Sequence, residues 1–525
     1  MKSITLLTTL VVSLFGCFAQ VHAAEKKKAD RPNILFIYTD DQSHRTVSCY
    51  PEAFDWVKTP NIDSLAKQGV RFSHAYIGSW CMASRASILT GHQQHGIESM
   101  RMEGVYPGSA YDPKLCPFWP KVFREQGYYT AHIGKWHTGV DAGFGRDWDF
   151  QKVWNRPRYI DNAPNYYDDQ LINTNGGEPE MVKGYSTDNY TDWAVDLIKE
   201  RSLKKEKPWF LWLCYGAVHG PFTPADRHLN EYEGVKVPTP KDVYPPRKNK
   251  PEYIRKMEFW EPGKDGQPAE RSVRETAPVG MKDMPGRPLR DWVRQYHQAV
   301  IGIDEGVGRV LKSLKDSGQE KNTLVIFTSD QGFAWGQHGF KSKVAPYDAT
   351  IAAPLIIRPL DFQNSDAAGK VVESPVAGVD LPPTIFAQAG LPLPWKMHGH
   401  DLTPLLKAGD VKWKHPAMMV HTAKNYGSAT DKIPSKDDPT LYHGPGIPWY
   451  VMITKGRYKY VRTLIEGEIE ELYDLNQDDE ELTNLAVLPG KQKLLARYRK
   501  MAIRELKRTD AGFVDDLPET GTVVE

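Results

Sequence analysis

Three carboxylates, an amide and a cysteine stand where this chain could do chemistry. Asp40 and Asp41 follow the apolar run Ile34–Tyr38, and Asp330 and Gln331 follow Leu324–Thr328. If both runs are strands of one sheet, these side chains converge as hard oxygen ligands. Such a set suits Ca²⁺ or Mg²⁺, not zinc, because it holds neither thiolate nor imidazole. Paired aspartates at a strand end also serve as loop or helix caps, so alone they decide little. Cys81 opens Cys81-Met82-Ala83-Ser84-Arg85, continued by Ala86-Ser87-Ile88-Leu89-Thr90-Gly91. Its polar, turn-like context separates it from Cys214, which lies within Trp209–Tyr215 and reads as a buried hydrophobe. A plain buried thiol, or a disulfide with Cys49 or Cys116, is the competing account of Cys81.

The segment from Cys81 resembles the Cys-x-(Pro/Ala)-Ser-Arg motif, with its Leu-Thr-Gly tail, of the formylglycine-dependent sulfatases of the alkaline phosphatase superfamily. Ala83 stands where proline is commoner. The likeness continues in the family's order through Gly134-Lys135-Trp136-His137, His219-Gly220-Pro221 and Thr328-Ser329-Asp330-Gln331-Gly332. Gly336-Gln337-His338-Gly339 follows, then Lys343 ahead of Pro346-Tyr347-Asp348, where the family usually has glutamate last. Glu471-Leu472-Tyr473-Asp474-Leu475 and Asn484-Leu485-Ala486 match its C-terminal block.

This resemblance implies a set of roles. Cys81 is oxidised by a formylglycine-generating enzyme to 3-oxoalanine, whose hydrate attacks sulfur. Asp40, Asp41, Asp330 and Gln331, with residue 81, hold one Ca²⁺, Mg²⁺ being the less favoured ion. Asp330 or a neighbour takes the proton of the attacking hydroxyl, His219 with Lys343 protonates the leaving alcohol, and His137 removes the second hydroxyl proton. The residue types make physical sense, since a sulfate ester reacts through a charged transition state that fixed cations stabilise, and Arg85, Lys135 and Lys343 supply them. If a helix starts at Cys81, its free amides add positive dipole. A phosphoester or phosphonate hydrolase of the same superfamily is the nearest competitor, and a non-catalytic glycan binder a further one. The competitor usually carries threonine or serine, or extra zinc ligands, in place of the Cys81–Arg85 motif.

His92, His95, His338, His398 and His400 could line a sugar pocket, and His338 is the one expected to touch substrate. Trp80, Trp148 and Trp335 suit stacking on sugars and core packing equally.

The elements that must position these residues are short apolar runs alternating with amphipathic stretches. Ile34–Tyr38, Trp209–Tyr215, Leu324–Thr328 and Leu355–Ile357 read as strands. Asn61–Gln68, capped by Asn61, Phe118–Gln126, Thr187–Ser202 and Asp291–Ser317 read as helices. This predicts an α/β fold: a large mixed, mostly parallel sheet covered by helices on both faces, with chemistry at the carboxyl ends of its strands. Prolines and charges crowd residues 227–288, a long surface insertion that reads as either a passive loop or a wall of the substrate cleft. After Leu406 a hairpin, Tyr450–Thr454 with Tyr458–Arg462, and a helix from Lys491 to Arg508 predict a smaller C-terminal α+β unit with an antiparallel sheet. The expected division is a catalytic domain over 31–410 and the smaller unit over 411–525.

Met1 to Ala23 carry Lys2, the apolar run Ile4–Phe18 and Val21-His22-Ala23, the pattern of a cleaved secretory signal, so the protein is expected outside the cytoplasm, secreted or periplasmic. Leu14-Phe15-Gly16-Cys17 loosely resembles a lipoprotein box, leaving anchoring through Cys17 open. No other stretch is apolar enough to span a bilayer. The formal net charge of +1 over 525 residues argues against a nucleic-acid partner and requires any anion recognition to be local. Secretion, aromatic content and the insertion together favour a sulfated carbohydrate over an aryl, choline or steroid sulfate as substrate.

Overall fold

The computed structural model describes residues 31–521, apart from 272–285, 365, 367, 409 and 410. The signal segment, Cys17 and part of the insertion lie outside the described residues, as do the two residues next to the expected division at 411.

A sheet of 10 strands forms the core. In chain order its strands are β1 (Asn33–Thr39), β2 (Val70–Phe72), β3 (Tyr129–Trp136), β4 (Phe150–Asn155), β5 (Gln170–Thr174), β6 (Pro179–Val182), β7 (Trp209–Cys214), β8 (Thr323–Ser329), β9 (Leu355–Arg358) and β10 (Lys370–Val372). They lie in the order β10-β2-β9-β8-β1-β7-β3-β4-β5-β6. The central run β8-β1-β7-β3-β4 is parallel, and antiparallel neighbours flank it on both sides. The central strands read as unbroken apolar runs because helices cover both faces. On one face Phe210 meets Trp119, and Trp119 and Phe123 meet Phe386. On the other, Tyr215, just past β7, bonds Thr191 of the helix Ser186–Leu203.

Four further helices are named in chain order with that one: α1 (Pro60–Gln68), α2 (Cys81–Thr90), α3 (Ser186–Leu203), α4 (Leu289–Asp316) and α5 (Gln492–Arg508). The expected cap of α1 is corrected. Thr59, not Asn61, precedes the helix, and neither caps it with a side chain. Instead Asp304 of α4 accepts from the Asn61 and Ile62 amides and from the Asn61 side chain, satisfying free first-turn donors across a tertiary contact.

The C-terminal antiparallel sheet consists of β11 (Ala417–His421), β12 (Tyr450–Lys455), β13 (Tyr458–Thr463) and β14 (Glu471–Asp474), paired in that order. Its period-2 alternation divides two cores. Met418, Val420, Val451 and Ile453 pack with Leu495, Tyr498, Met501 and Leu506 of α5. Met419, Tyr450, Met452 and Val461 join the main core instead. Each large α5 side chain buried this way contributes roughly 1.5–3 kcal/mol, so α5 holds the sheet from outside while the body holds it from within. Within the insertion, the hairpin Trp260–Pro262 with Pro268–Glu270 buries Trp260.

Candidate active site

Strand register alone brings the first carboxylates together. Thr39 of β1 pairs with Ser329 of β8, so Asp40 and Asp330 leave the sheet side by side. The Asp330 amide bonds the Thr39 carbonyl at 3.2 Å and the Asp40 amide bonds Ala217 at 3.0 Å. Asp41 then turns back into the cluster with φ 58°, its amide held by Asp330 Oδ1 at 2.8 Å. Tyr296 of α4 completes the turn, donating to the Asp41 carbonyl and accepting from the Ser43 amide. Nothing in the amphipathic pattern of α4 distinguished Tyr296 from a core residue.

Cys81 does not lie in a turn: it begins α2, with Trp80 as its uncapped N-cap. Its sulfur lies 3.8 Å from Asp41 Oδ1, so the start of α2 meets the carboxylate cluster, and Arg85, one turn on, follows on the same face. Arg85 Nη2 lies 3.6 Å from Asp330 Oδ2 and 4.0 Å from Asp40 Oδ2. Lys135, at the end of β3, pairs with Asp40. Gly134 before it lets β3 lie close against β7, since at its φ of 104° a Cβ would lie 2.0 Å from the Cys214 carbonyl. Lys343 pairs with Asp41 and stands 2.8 Å from the Cys81 sulfur. The Gln331 side-chain nitrogen also meets Asp41. The structure thus brings together Asp40, Asp41, Cys81, Arg85, Lys135, Asp330, Gln331 and Lys343, all buried.

His137 follows β3 directly, and His219 lies in the loop after β7. His219 Nε2 is 3.7 Å from Asp41 Oδ2, while its Nδ1 faces the Gly220 carbonyl at 2.9 Å. The Tyr166 ring stacks on it, and Tyr167 donates to its carbonyl at 2.6 Å. Arg156 Nη1 lies 3.4 Å from the His137 ring nitrogens. Tyr106, Arg156, Tyr166 and Tyr167 escaped the sequence reading. Only Arg156 carried a signal, its place one residue past a central strand.

Electrostatics differentiates these groups. Burial alone would raise Asp40, but Lys135, His219 and Arg85 hold it well below the usual carboxylate range. Burial and the Asp40 charge push Asp330 well above that range, with Arg85 opposing. Burial, then Arg156 and Lys135, hold His137 far below an ordinary imidazole; for His219 burial and Lys343 do the same. Burial and Asp40 push the Cys81 thiol up to about 12. At neutral pH this sulfur is therefore a protonated thiol, a poor nucleophile and a poor ligand as it stands.

Asp40, Asp41, Cys81 and Asp330 offer ligand atoms within 4.8 Å of one another. Asp40 Oδ1, Asp41 Oδ2 and Asp330 Oδ2 are buried with no hydrogen-bond partner among the described residues. Orphaned carboxylate oxygens facing one point fit a hard cation, and a half-turn of the Gln331 amide would add its oxygen.

His338 is placed elsewhere. It is 1% exposed, its Nδ1 lies 2.6 Å from Asp242 of the insertion, and its ring packs on Tyr347. Among the described residues no contact links it to Cys81 or the carboxylates. His92 bonds the Lys396 carbonyl, His95 bonds Thr509, and His398 accepts from the Gln93 amide, so all three tie loops together. His400 stacks on His415. Trp80, Trp148 and Trp335 are buried, which decides for packing over sugar stacking. The four described cysteines are free, so Cys81 forms no disulfide with Cys49 or Cys116.

Known proteins share this arrangement of chain. The N-acetylglucosamine-6-O-sulfatase of Bacteroides thetaiotaomicron is 27% identical over 558 aligned residues, spanning 98% of this chain and 92% of that one. A solved structure holding D-glucosamine-2-N,6-O-disulfate as its substrate superposes with a TM-score of 0.72 at 24% identity, over 92% of this chain and 99% of the other. The phosphonate monoester hydrolase of Agrobacterium radiobacter shares the fold at a TM-score of 0.64 and 21% identity, over 91% and 96%. The sulfatase family model matches residues 32–391, a span that runs from β1 past β10 and contains every charged group gathered around Cys81. The chain therefore belongs to the sulfatase family, within the alkaline phosphatase superfamily, and is a sulfuric ester hydrolase.

Proposed function

We propose that this protein hydrolyses a sulfate ester of a sulfated carbohydrate, with Cys81 oxidised to formylglycine and a divalent ion, Ca²⁺ in preference to Mg²⁺, held by Asp40, Asp41, Asp330, Gln331 and residue 81. The observation that carries this reading is the place of Cys81: at the start of α2, among three carboxylates and 2.8 Å from Lys343, as a thiol that burial keeps protonated. A side chain so surrounded is poorly used as a thiol and well used as a polar group. The carbohydrate follows the names of the relatives, which act on N-acetylglucosamine 6-sulfate and glucosamine disulfate.

Formylglycine, as its hydrate, would supply a hydroxyl nucleophile and a second hydroxyl whose ionisation later expels sulfate. The ion would add positive charge where sulfate oxygens and that hydroxyl meet. The remaining work falls to the chain. Asp330, the carboxylate pushed furthest up, is the one best able to take a proton. Lys135, Arg85 and Lys343 offer fixed positive charge to the sulfate oxygens. His137, neutral at neutral pH, can accept a proton. His219 must gain one at Nε2 before it can donate to the leaving alcohol; burial and Lys343 oppose that form and Asp40 favours it.

Among the described residues no helix is long and apolar enough to cross a membrane. Secretion or periplasmic export, maturation by a formylglycine-generating enzyme, and a division into units near residue 411 belong to the same proposal. The test is sulfate release from a panel of defined sulfated monosaccharides and oligosaccharides beside 4-nitrophenyl sulfate. Turnover of at least one sugar sulfate with a higher kcat/KM than the aryl ester supports the reading. Turnover of the aryl ester alone overturns the carbohydrate assignment.

A further inference from the structure

The cations of the site are not evenly matched. Lys135 is paired with Asp40, Lys343 with Asp41, and Arg85 with Asp330. Arg156, buried at 4% exposure beside His137, has no carboxylate within ion-pair distance among the described residues. Its position is set by the sheet. Trp136 at the end of β3 pairs with Asn155 at the end of β4, and the Arg156 amide bonds the Trp136 carbonyl at 3.3 Å. The next residue on each strand is His137 and Arg156, which is why they touch.

Neutral partners hold the guanidinium in place. Nε donates to the Ala163 carbonyl at 3.0 Å, and the carbon at its centre lies 4.7 Å from the Tyr166 ring centroid and 5.8 Å from that of Tyr106. Tyr106, whose ring also packs against His137, is 40% exposed. A guanidinium cannot shed its charge, and burying it without a counter-ion is costly. Ring faces and one carbonyl offset part of that cost, while its planar fork keeps a donor edge for an anion.

We propose that Arg156 binds a second anionic group of the substrate, so that the favoured substrate carries a sulfate or carboxylate close to the sulfate ester that is cleaved. This rests on the sugar-sulfatase reading of the site and narrows its substrate class.

The experiment uses 4-nitrophenyl sulfate turnover by the matured enzyme as a reporter. Competitive inhibition constants are measured for a monosulfated hexose, a disulfated hexose and a monosulfated uronic acid. Thermal stabilisation by the same sugars is read in parallel and needs no turnover. Wild-type protein should hold at least one of the two dianions roughly ten- to a hundredfold tighter than the monoanion, the worth of one charge-assisted hydrogen bond or pair. Which dianion gains identifies the second group as sulfate or carboxylate. Arg156→Gln should remove the preference, and Arg156→Lys should keep part of it. No preference in wild type, or the same preference in wild type and Arg156→Gln, overturns the proposal and leaves Arg156 acting on His137 or on the cleaved sulfate itself. Sulfate release from the sugars is measured separately, so failure of the broader reading shows as absent release and failure of this one as an unchanged ratio.

Discussion

The Tyr166 ring lies 4.0 Å from the ring of His219 and within 3° of parallel to it. With Tyr167 holding the His219 carbonyl, this stack fixes both the backbone and the plane of the imidazole. An aromatic pair contributes about 0.5–1.5 kcal/mol beyond its burial. Tyr166→Phe should therefore keep most activity, and Tyr166→Ala should lose up to about tenfold in kcat on a sugar sulfate. Rates of the two variants on one sugar sulfate check this, and equal rates for Phe and Ala would contradict it.

The role of His219 separates by leaving group. A sugar alkoxide needs a proton on departure and an activated phenolate barely does. His219→Ala should lose on the order of a hundred- to ten-thousandfold on a sugar sulfate and far less on 4-nitrophenyl sulfate. His137→Ala should slow both substrates alike, because the proton it takes is independent of the alcohol. Ratios of kcat/KM for two variants on two substrates supply the comparison. Equal losses for His219→Ala on both would show that it does not donate to the departing oxygen.

Orphaned oxygens on Asp40, Asp41 and Asp330 predict that the site is unfavourable without an ion. Chelation should abolish turnover and lower the unfolding temperature. Ca²⁺ should restore both best, adding about 2.7 kcal/mol of stability at a hundred times its dissociation constant. Asp41→Asn should weaken that stabilisation more than it weakens the ion-free fold. Restoration by Zn²⁺ alone would point to the phosphoester branch of the superfamily.

The unmodified thiol gives a pH prediction. Burial raises Cys81 to about 12, and a raised thiol is neutral below that value. At pH 8 the thiolate fraction is on the order of one in ten thousand, so native alkylation of unconverted protein should be very slow and should rise with each pH unit. Rapid labelling of Cys81 by iodoacetamide at pH 8, located by peptide mapping, would contradict the burial argument.

Asp304 offers a stability test away from the chemistry. It is the acceptor for the first-turn amides of α1. Asp304→Ala should cost about 1–3 kcal/mol in denaturant unfolding, the range for lost caps and stranded buried donors. Turnover per folded molecule should be retained.

Much of this was legible in the residue order, for physical reasons. Parallel central strands are buried on both faces, so Ile34–Tyr38, Trp209–Cys214 and Leu324–Thr328 stand out as apolar runs, and the carboxylates of the site lie just past the first and last of them. The motif residues around Cys81 converge because strand register and the first turn of α2 aim them at one point. What escaped depends on tertiary contact. The α1 cap is supplied from α4, Tyr296 is a polar hand on a helix that reads as core, and Tyr166 sits in irregular chain between strands. His338 lines a cavity with Trp335 and Asp348, and its carboxylate partner Asp242 comes from the proline-rich insertion, a pairing only the fold could make. Trp80, Trp148 and Trp335 lie near motif ends but face the interior.

The central claim is that residue 81 works as an aldehyde and not as a thiol. Oxidation replaces the –CH₂SH group by –CHO, which changes the mass of the peptide containing residue 81 and makes it reactive toward hydrazides. Mass spectrometry of that peptide, run on preparations of graded activity, should find specific activity proportional to the converted fraction, with Cys81→Ala folded and inactive. Full activity in a preparation whose residue 81 is entirely unmodified cysteine would contradict the account.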